Sequence, residues 1–174
     1  MPYLYVLAAI VLRLMPHPWN VTPVAAMFLF SGCVFRSRWQ SLLMPLSALL
    51  VSDWFVVQVL YPGRFGWFSP VTWSAFLLIG LIGWTLREKV SVGRVAAASL
   101  SGSVLFFLVT NFGEWAWGVL YPRTFDGLVA CYTAALPFFR NTVAGDLFYS
   151  AVLFGSYFWL VRPRAHLLAA AERH

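Results

Sequence analysis

Charge is what this sequence has least of. Lys and Arg number 12 and Asp and Glu 6 among 174 residues, 10% together, where a soluble domain carries about a quarter. That deficit excludes an ordinary soluble enzyme. It also excludes a nucleic-acid-binding module, even with a net charge of +6, because such a module needs a hydrated basic face, so no nucleic-acid partner is expected. With 61% hydrophobic residues the chain has every reason to leave water, which excludes disorder. Histidines and cysteines are equally scarce. His166 and His174 belong to the tail, and Cys33 and Cys131 fall toward opposite faces of the topology below, which argues against a disulfide. No two or three His, Cys or carboxylate residues stand at metal-ligand spacing, so no resident metal or cofactor is expected. His17 alone, beside two prolines, reads as a turn residue or as a ligand to a metal that arrives inside a cofactor. There is no GxSxG elbow and no phosphate-cradling glycine loop. No catalytic residues are expected and the chain is not read as an enzyme; Glu114 and Asp126 would be its only acid–base pair, at an uninformative spacing.

What the sequence has in abundance is apolar, aromatic helix. Six spans of about 20 residues take roughly 120 positions, so the length suits one all-α membrane bundle. Hydropathy and breakers place spans at 2–15, 21–35, 41–60, 70–86, 95–110 and 142–161. The first two are short and separated by Pro16, Pro18 and Pro23, which leaves open tilted spans or a re-entrant pair. The N-terminal stretch lacks a basic n-region, and Arg13 stands where a cleavage site would be, so a retained span is expected. With the N-terminus inside, Arg36, Arg38, Arg87, Lys89, Arg94, Arg162, Arg164 and Arg173 are cytoplasmic, and Arg13, Arg64, Arg123 and Arg140 are outside. This asymmetry favours both termini inside, in a bacterial inner membrane. Trp39, Trp84 and Trp159 fall near one boundary and Trp19, Trp67, Trp115 and Trp117 near the other, as aromatic belts do. Residues 111–141 read as a long outer loop or cap, too polar for a clean span because of Glu114, Arg123, Asp126 and Arg140. Residues 127–136 read as a short helix across the outer mouth. Residues 162–174 read as a cytoplasmic tail.

Ionisable groups inside a membrane protein are costly, and their positions are the strongest functional signal. Asp53 is roughly 12 Å below the outer end of its span at 1.5 Å per residue. Asp146 lies about a turn into the last span. Asn111, Glu114, Arg140 and Asn141 flank the outer ends of the last two spans, and Arg13, His17, Asn20 and Thr22 line the first outer turn. Stretches 25–35, 42–50, 77–86 and 151–161 carry no charge. This one-sided polarity points to a molecule that captures something from outside. Expected polar contacts to a ligand are His17, Asn20, Asp53, Asn111, Glu114, Asp126, Arg140, Asn141 and Asp146, with Trp115, Trp117 and Tyr132 as stacking walls. The plainer alternative is that Asp53 pairs with Arg13 or Arg140 and ties the bundle together. The small-residue faces Ala98-xxx-Gly102 and Ser99-xxx-Ser103 serve either internal packing or docking to a membrane partner.

The blocks HPWNVTPVAAMFLFSG (17–32), SDWF (52–55), NFGEW (111–115), YPRTFDGLVACYTAALPFF (121–139) and NTVAGDLFY (141–149) resemble those of a family of small bacterial membrane proteins. That family in turn is similar to the S-components of energy-coupling-factor (ECF) vitamin transporters. The resemblance implies a six-helix protein that binds a vitamin or metal in an outward cavity, in the lipid bilayer, with a coupling subunit and ATPases as partners or acting alone. The nearest comparison is the solitary cobalamin-specific S-component. It has a histidine in the first outer loop, an aspartate in the third span and an arginine before the last, places occupied here by His17, Asp53 and Arg140. The cobalt-ligating loop cysteine of that relative has no counterpart in 61–69. The implied function is capture of a vitamin-sized small molecule, cobalamin being one candidate; the alternative is a structural membrane protein of the MreD morphogenesis type.

Overall fold

The computed structural model describes residues 1–16, 20–60 and 70–160. Those residues form six helices and no strand: α1 (Pro2–Leu14), α2 (Val24–Val34), α3 (Arg38–Phe55, continued by a π-helical turn Val56–Leu60), α4 (Pro70–Trp84), α5 (Val92–Trp117) and α6 (Phe125–Leu160). The chain is an all-α membrane protein. Arg38–Val59, Val92–Trp117 and Phe125–Leu160 are long and apolar enough to cross a membrane, whereas α1, α2 and α4 are shorter apolar helices.

Local chemistry sets the helix ends. Pro2 opens α1, where its missing N–H costs nothing, and Met15 is held extended, at φ −76° and ψ 154°, ahead of Pro16. Asn20 takes the left-handed conformation, φ 60°, which asparagine tolerates better than most residues, and the chain turns back there toward α2. Ser37 and Ser91 cap α3 and α5 by accepting from the backbone N–H of Gln40 and Arg94, each at 3.4 Å. The Thr124 hydroxyl does the same for Gly127 at the start of α6.

Successive helices alternate in direction. Tyr3 meets Phe35 and Tyr5 meets Phe30, which runs α1 against α2. Trp84 at the end of α4 donates to Ser41 at the start of α3, while Trp73 donates to Asp53 at the other end. Phe76 packs on Phe106, and Ser103 and Ser99 of α5 meet Asp146 and Ser150 of α6. The bundle therefore has an Asp53 end and an Arg87 end.

α2 is the hub, packed against all five other helices. It is apolar on every side, as a fully buried helix must be, and Val24 through Gly32 are all buried. At 11 residues it is about 16 Å long, half of a bilayer core of about 30 Å. Its neighbours enclose the helical part of the 21–35 segment. Glycines bring α4 onto it. A Cβ on Gly32 would overlap the Gly80 carbonyl oxygen, and one on Gly83 the Leu29 carbonyl oxygen. The Arg87 side chain closes that end, its Nε donating to the Gly32 carbonyl at 2.7 Å with the guanidinium over Trp84, 5.7 Å from the ring centroid.

The expected long outer loop is the main departure. α5 continues to Trp117 and α6 begins at Phe125, so 118–124 is the whole connection and 127–136 is the opening of α6, not a separate helix across a mouth. Hydropathy discounted this stretch for Glu114, Asp126 and Arg140, all of which sit on exposed helix faces. The buried side of α6 there holds Gly127 and Cys131, and Tyr132 donates to the Leu108 carbonyl at 2.7 Å. At 36 residues α6 is about 54 Å long, well beyond a bilayer core. The small-residue face of α5 serves internal packing: Ala98, Ser99, Gly102 and Ser103 are buried, Gly102 against Ile79 and the serines against α6.

Candidate functional site

The polar residues of the Asp53 end fall into separate groups. The first is a tie between helices. Asp53, on the last turn of α3, receives Arg13 Nη2 of α1 on Oδ1 at 2.5 Å and Trp73 Nε1 of α4 on Oδ2 at 2.8 Å. Arg13 Nη1 also donates to the Ser52 hydroxyl, which in turn donates to the Leu49 carbonyl. A carboxylate with a charged and a neutral donor is well satisfied, and it joins three helices at one point. Of the two possible partners, Arg13 makes the pair; Arg140 is exposed on α6 and does not reach Asp53.

The second group lines a cavity of about 750 Å³ between the start of α4 and the end of α5. Pro70, Val71 and Thr72 form one wall, and Thr110, Asn111, Gly113, Glu114, Trp117 and Gly118 the other. Helical spacing explains the second wall, since 110, 113, 114 and 117 share one face of α5. Glycine at 113 matters because a Cβ there would press on the Val71 side chain. Glu114 and Trp117 are exposed at the cavity, so one carboxylate and one indole face are available to a ligand. A smaller cavity of about 150 Å³ backs onto it, sharing Thr110 and Asn111 and adding Asn20, Phe106, Phe107, Ala135, Phe138, Phe139 and Thr142. Phe107 and Phe139 pack at 4.7 Å to make its aromatic side. The Asn111 side-chain amide donates to the Phe107 carbonyl at 2.7 Å, and its backbone carbonyl accepts from the Cys131 thiol at 3.4 Å.

Other expected ligand contacts are placed elsewhere. Trp115 donates to the Pro122 and Thr124 carbonyls at 3.1 and 3.2 Å and so holds the α5–α6 connection. Tyr132 is used between helices, as described. Asp126 is exposed in the first turn of α6, where it complements the helix dipole, and Asn141 is exposed on the same helix. His17 lies outside the described residues. Asp146 is buried, 4% exposed, and receives the Ser103 hydroxyl at 2.6 Å. Asn20, Asn111, Glu114 and Trp117 are therefore the expected residues that line the cavities; Asp53 and Asp146 stand apart from them and from each other.

Sequence reasoning missed Ser52 and Trp73 around Asp53, Thr72 and Thr110 in the large cavity, and Ser103 as the partner of Asp146. Hydroxyls and an indole N–H inside apolar helices are the signal that was present, since each needs a partner when buried. Among the described residues no three His, Cys, Asp or Glu side chains gather as a metal site, and Cys33 and Cys131 are free thiols at the Arg87 and Asp53 ends respectively.

Comparison with curated proteins and with solved structures gives no match. A family profile matches residues 1–168, nearly the whole chain, and the protein belongs to that family, a family of unknown function (DUF6580).

Proposed function

We propose that this chain captures a small solute at the Asp53 end of the bundle and transports it across the membrane, as a multi-pass protein of the bacterial inner membrane with both termini inside. The observation that carries the reading is the cavity of about 750 Å³ with Glu114, Trp117 and Asn111 on its walls. Its size falls within the range of small-molecule sites, and its few polar groups on an otherwise apolar wall are what orient a ligand. An exposed carboxylate beside an indole face favours a flat heterocyclic solute with a positive or hydrogen-donating edge. The orientation draws support from the described charges. Arg36, Arg38, Arg87, Lys89 and Arg94 stand at one end with Glu88, while Arg13, Arg123 and Arg140 at the other are balanced by Asp53, Glu114 and Asp126. The S-component resemblance agrees with a vitamin-sized solute and adds the ECF coupling subunit and ATPases as partners; in its cobalamin version His17 would be a candidate ligand to the cofactor metal.

Equilibrium binding of a vitamin panel that includes cobalamin to the purified protein, with Glu114→Gln and Trp117→Ala as comparison variants, tests the proposal. Saturable binding of one compound, weakened about tenfold or more by either variant, supports it. No saturable binding, or binding equal in all three proteins, refutes it.

A further inference from the structure

Asp146 is the acidic or basic side chain that the bundle buries outright; every other charged residue among those described is half-buried or exposed. Its Oδ2 receives the Ser103 hydroxyl at 2.6 Å, and no ion pair joins it among the described residues. The groups that face it are neutral. α5 offers Ser103 and Ser99, Val21 and Thr22 ahead of α2 lie against the neighbouring Gly145, and its own helix offers Thr142, Tyr149 and Ser150. Tyr149 is the titratable one among them. An ionised carboxyl without a counter-charge is expensive in such surroundings, and an unpaired acid in a membrane helix is a functional signal by default.

Its position adds a second observation. Thr142, Asp146 and Ser150 recur every four residues along one stripe of α6, about 6 Å apart. Thr142 lines the smaller cavity of the Asp53 end, about 150 Å³. Ser150 lines a different cavity, of about 440 Å³, between the start of α5 and the end of α6. Ser150 also donates to the Ser99 hydroxyl at 3.3 Å, and Ser103 bonds both Asp146 and the Ser99 carbonyl. A buried acid thus lies between two cavity-lining residues of its own helix: Ser103 and Ser99 link it toward Ser150, while the Thr142 hydroxyl on the other side donates to the Phe138 carbonyl at 3.2 Å.

We propose that Asp146 is a proton-binding site served by the cavities on its two sides. A hydronium ion gives its proton to the carboxylate at Oδ1, the O–H bond forms, water leaves, and release is the reverse; no other reactant is involved. The site deepens the transport reading by supplying a coupling ion, and for that role it rests on that reading. Protons alone suffice for its test, so absent solute binding and an absent titration are separate results.

The test is an infrared pH titration of the full chain in phosphatidylcholine nanodiscs. The expected result is a carboxylic-acid C=O band that comes and goes reversibly with pH, is missing from Asp146→Asn, and is displaced in Ser103→Ala, which keeps the acid and loses its hydrogen bond. Exchange of that proton in heavy water is expected to slow severalfold in Thr142→Leu or Ser150→Ala. Wild type and Asp146→Asn spectra that superimpose would overturn the proposal, as would a band that never titrates or one that responds to sodium in place of choline at fixed pH. Exchange unaffected by both cavity variants overturns the part given to the cavities. Should Asp146→Asn not yield folded protein, the Ser103→Ala displacement decides the outcome.

Discussion

The two ends of the bundle are built on opposite principles. At the Arg87 end, backbones touch: Gly32, Gly80 and Gly83 let α2 and α4 meet without intervening side chains, and Arg87 and Trp84 seal the joint. At the Asp53 end the helices are held by side chains at a distance, through Arg13, Asp53 and Trp73, and cavities remain between them. A joint of glycines has no room to move, whereas a joint of hydrogen-bonded side chains can open and re-form. The cavity with Glu114 and Trp117 thus lies at the end joined by side chains, whereas the cavity near the other end opens between α5 and α6, away from the glycine joint.

Substitutions that exchange these characters break the comparison. The largest effect is expected from Gly32→Val, whose side chain would meet α4 backbone; overpacking of this kind costs about 3 kcal/mol or more, read as loss of monodisperse protein or a large fall in Tm. Gly155→Ala, which enters open space, is the matched control and is expected to leave Tm unchanged or slightly raised. Next comes Arg13→Ala, which leaves Asp53 with Trp73 alone. Charged hydrogen bonds bring about 1.5–3 kcal/mol, and the solvent that reaches this partly buried pair reduces that to about 1–2 kcal/mol. A double-mutant cycle with Asp53→Ala measured by denaturation should return a coupling near 1 kcal/mol; zero coupling would mean the pair does not hold the Asp53 end. Trp115→Phe removes the hydrogen bonds to the α5–α6 connection and should cost about 0.5–1 kcal/mol. Smallest in stability is Glu114→Gln, within about 0.5 kcal/mol, although solute binding should fall about tenfold. Destabilisation by Glu114→Gln as large as that by Arg13→Ala would make Glu114 another structural tie.

Hydropathy was enough to find six apolar segments and the all-α class, because apolar runs of 11 residues or more leave few alternatives to helix. It misplaced the end of α5 and the start of α6. A window average treats Glu114, Asp126 and Arg140 as evidence against helix, when on the exposed faces of α5 and α6 they are neutral toward it. Nor did it distinguish α2 from a lipid-facing helix, since lipid and protein interior ask for the same apolar side chains. Asp53 was legible as important and Arg13 as one of two partners; choosing between Arg13 and Arg140 needed the third dimension. The Asn111–Glu114–Trp117 wall was legible residue by residue, but its opposite wall offers Val71 and a single hydroxyl, Thr72, whose place across the cavity only the fold reveals.

The enclosure of α2 also bears on how the chain is made. A helix of 11 residues, about 16 Å long, does not by itself reach across a bilayer core of about 30 Å. Two of its principal walls, α4 and α6, are synthesised after it. The centre of the molecule is thus completed last, when the C-terminal half of the chain arrives, and a ribosome-bound intermediate ending after α3 lacks the α4, α5 and α6 walls of its central helix.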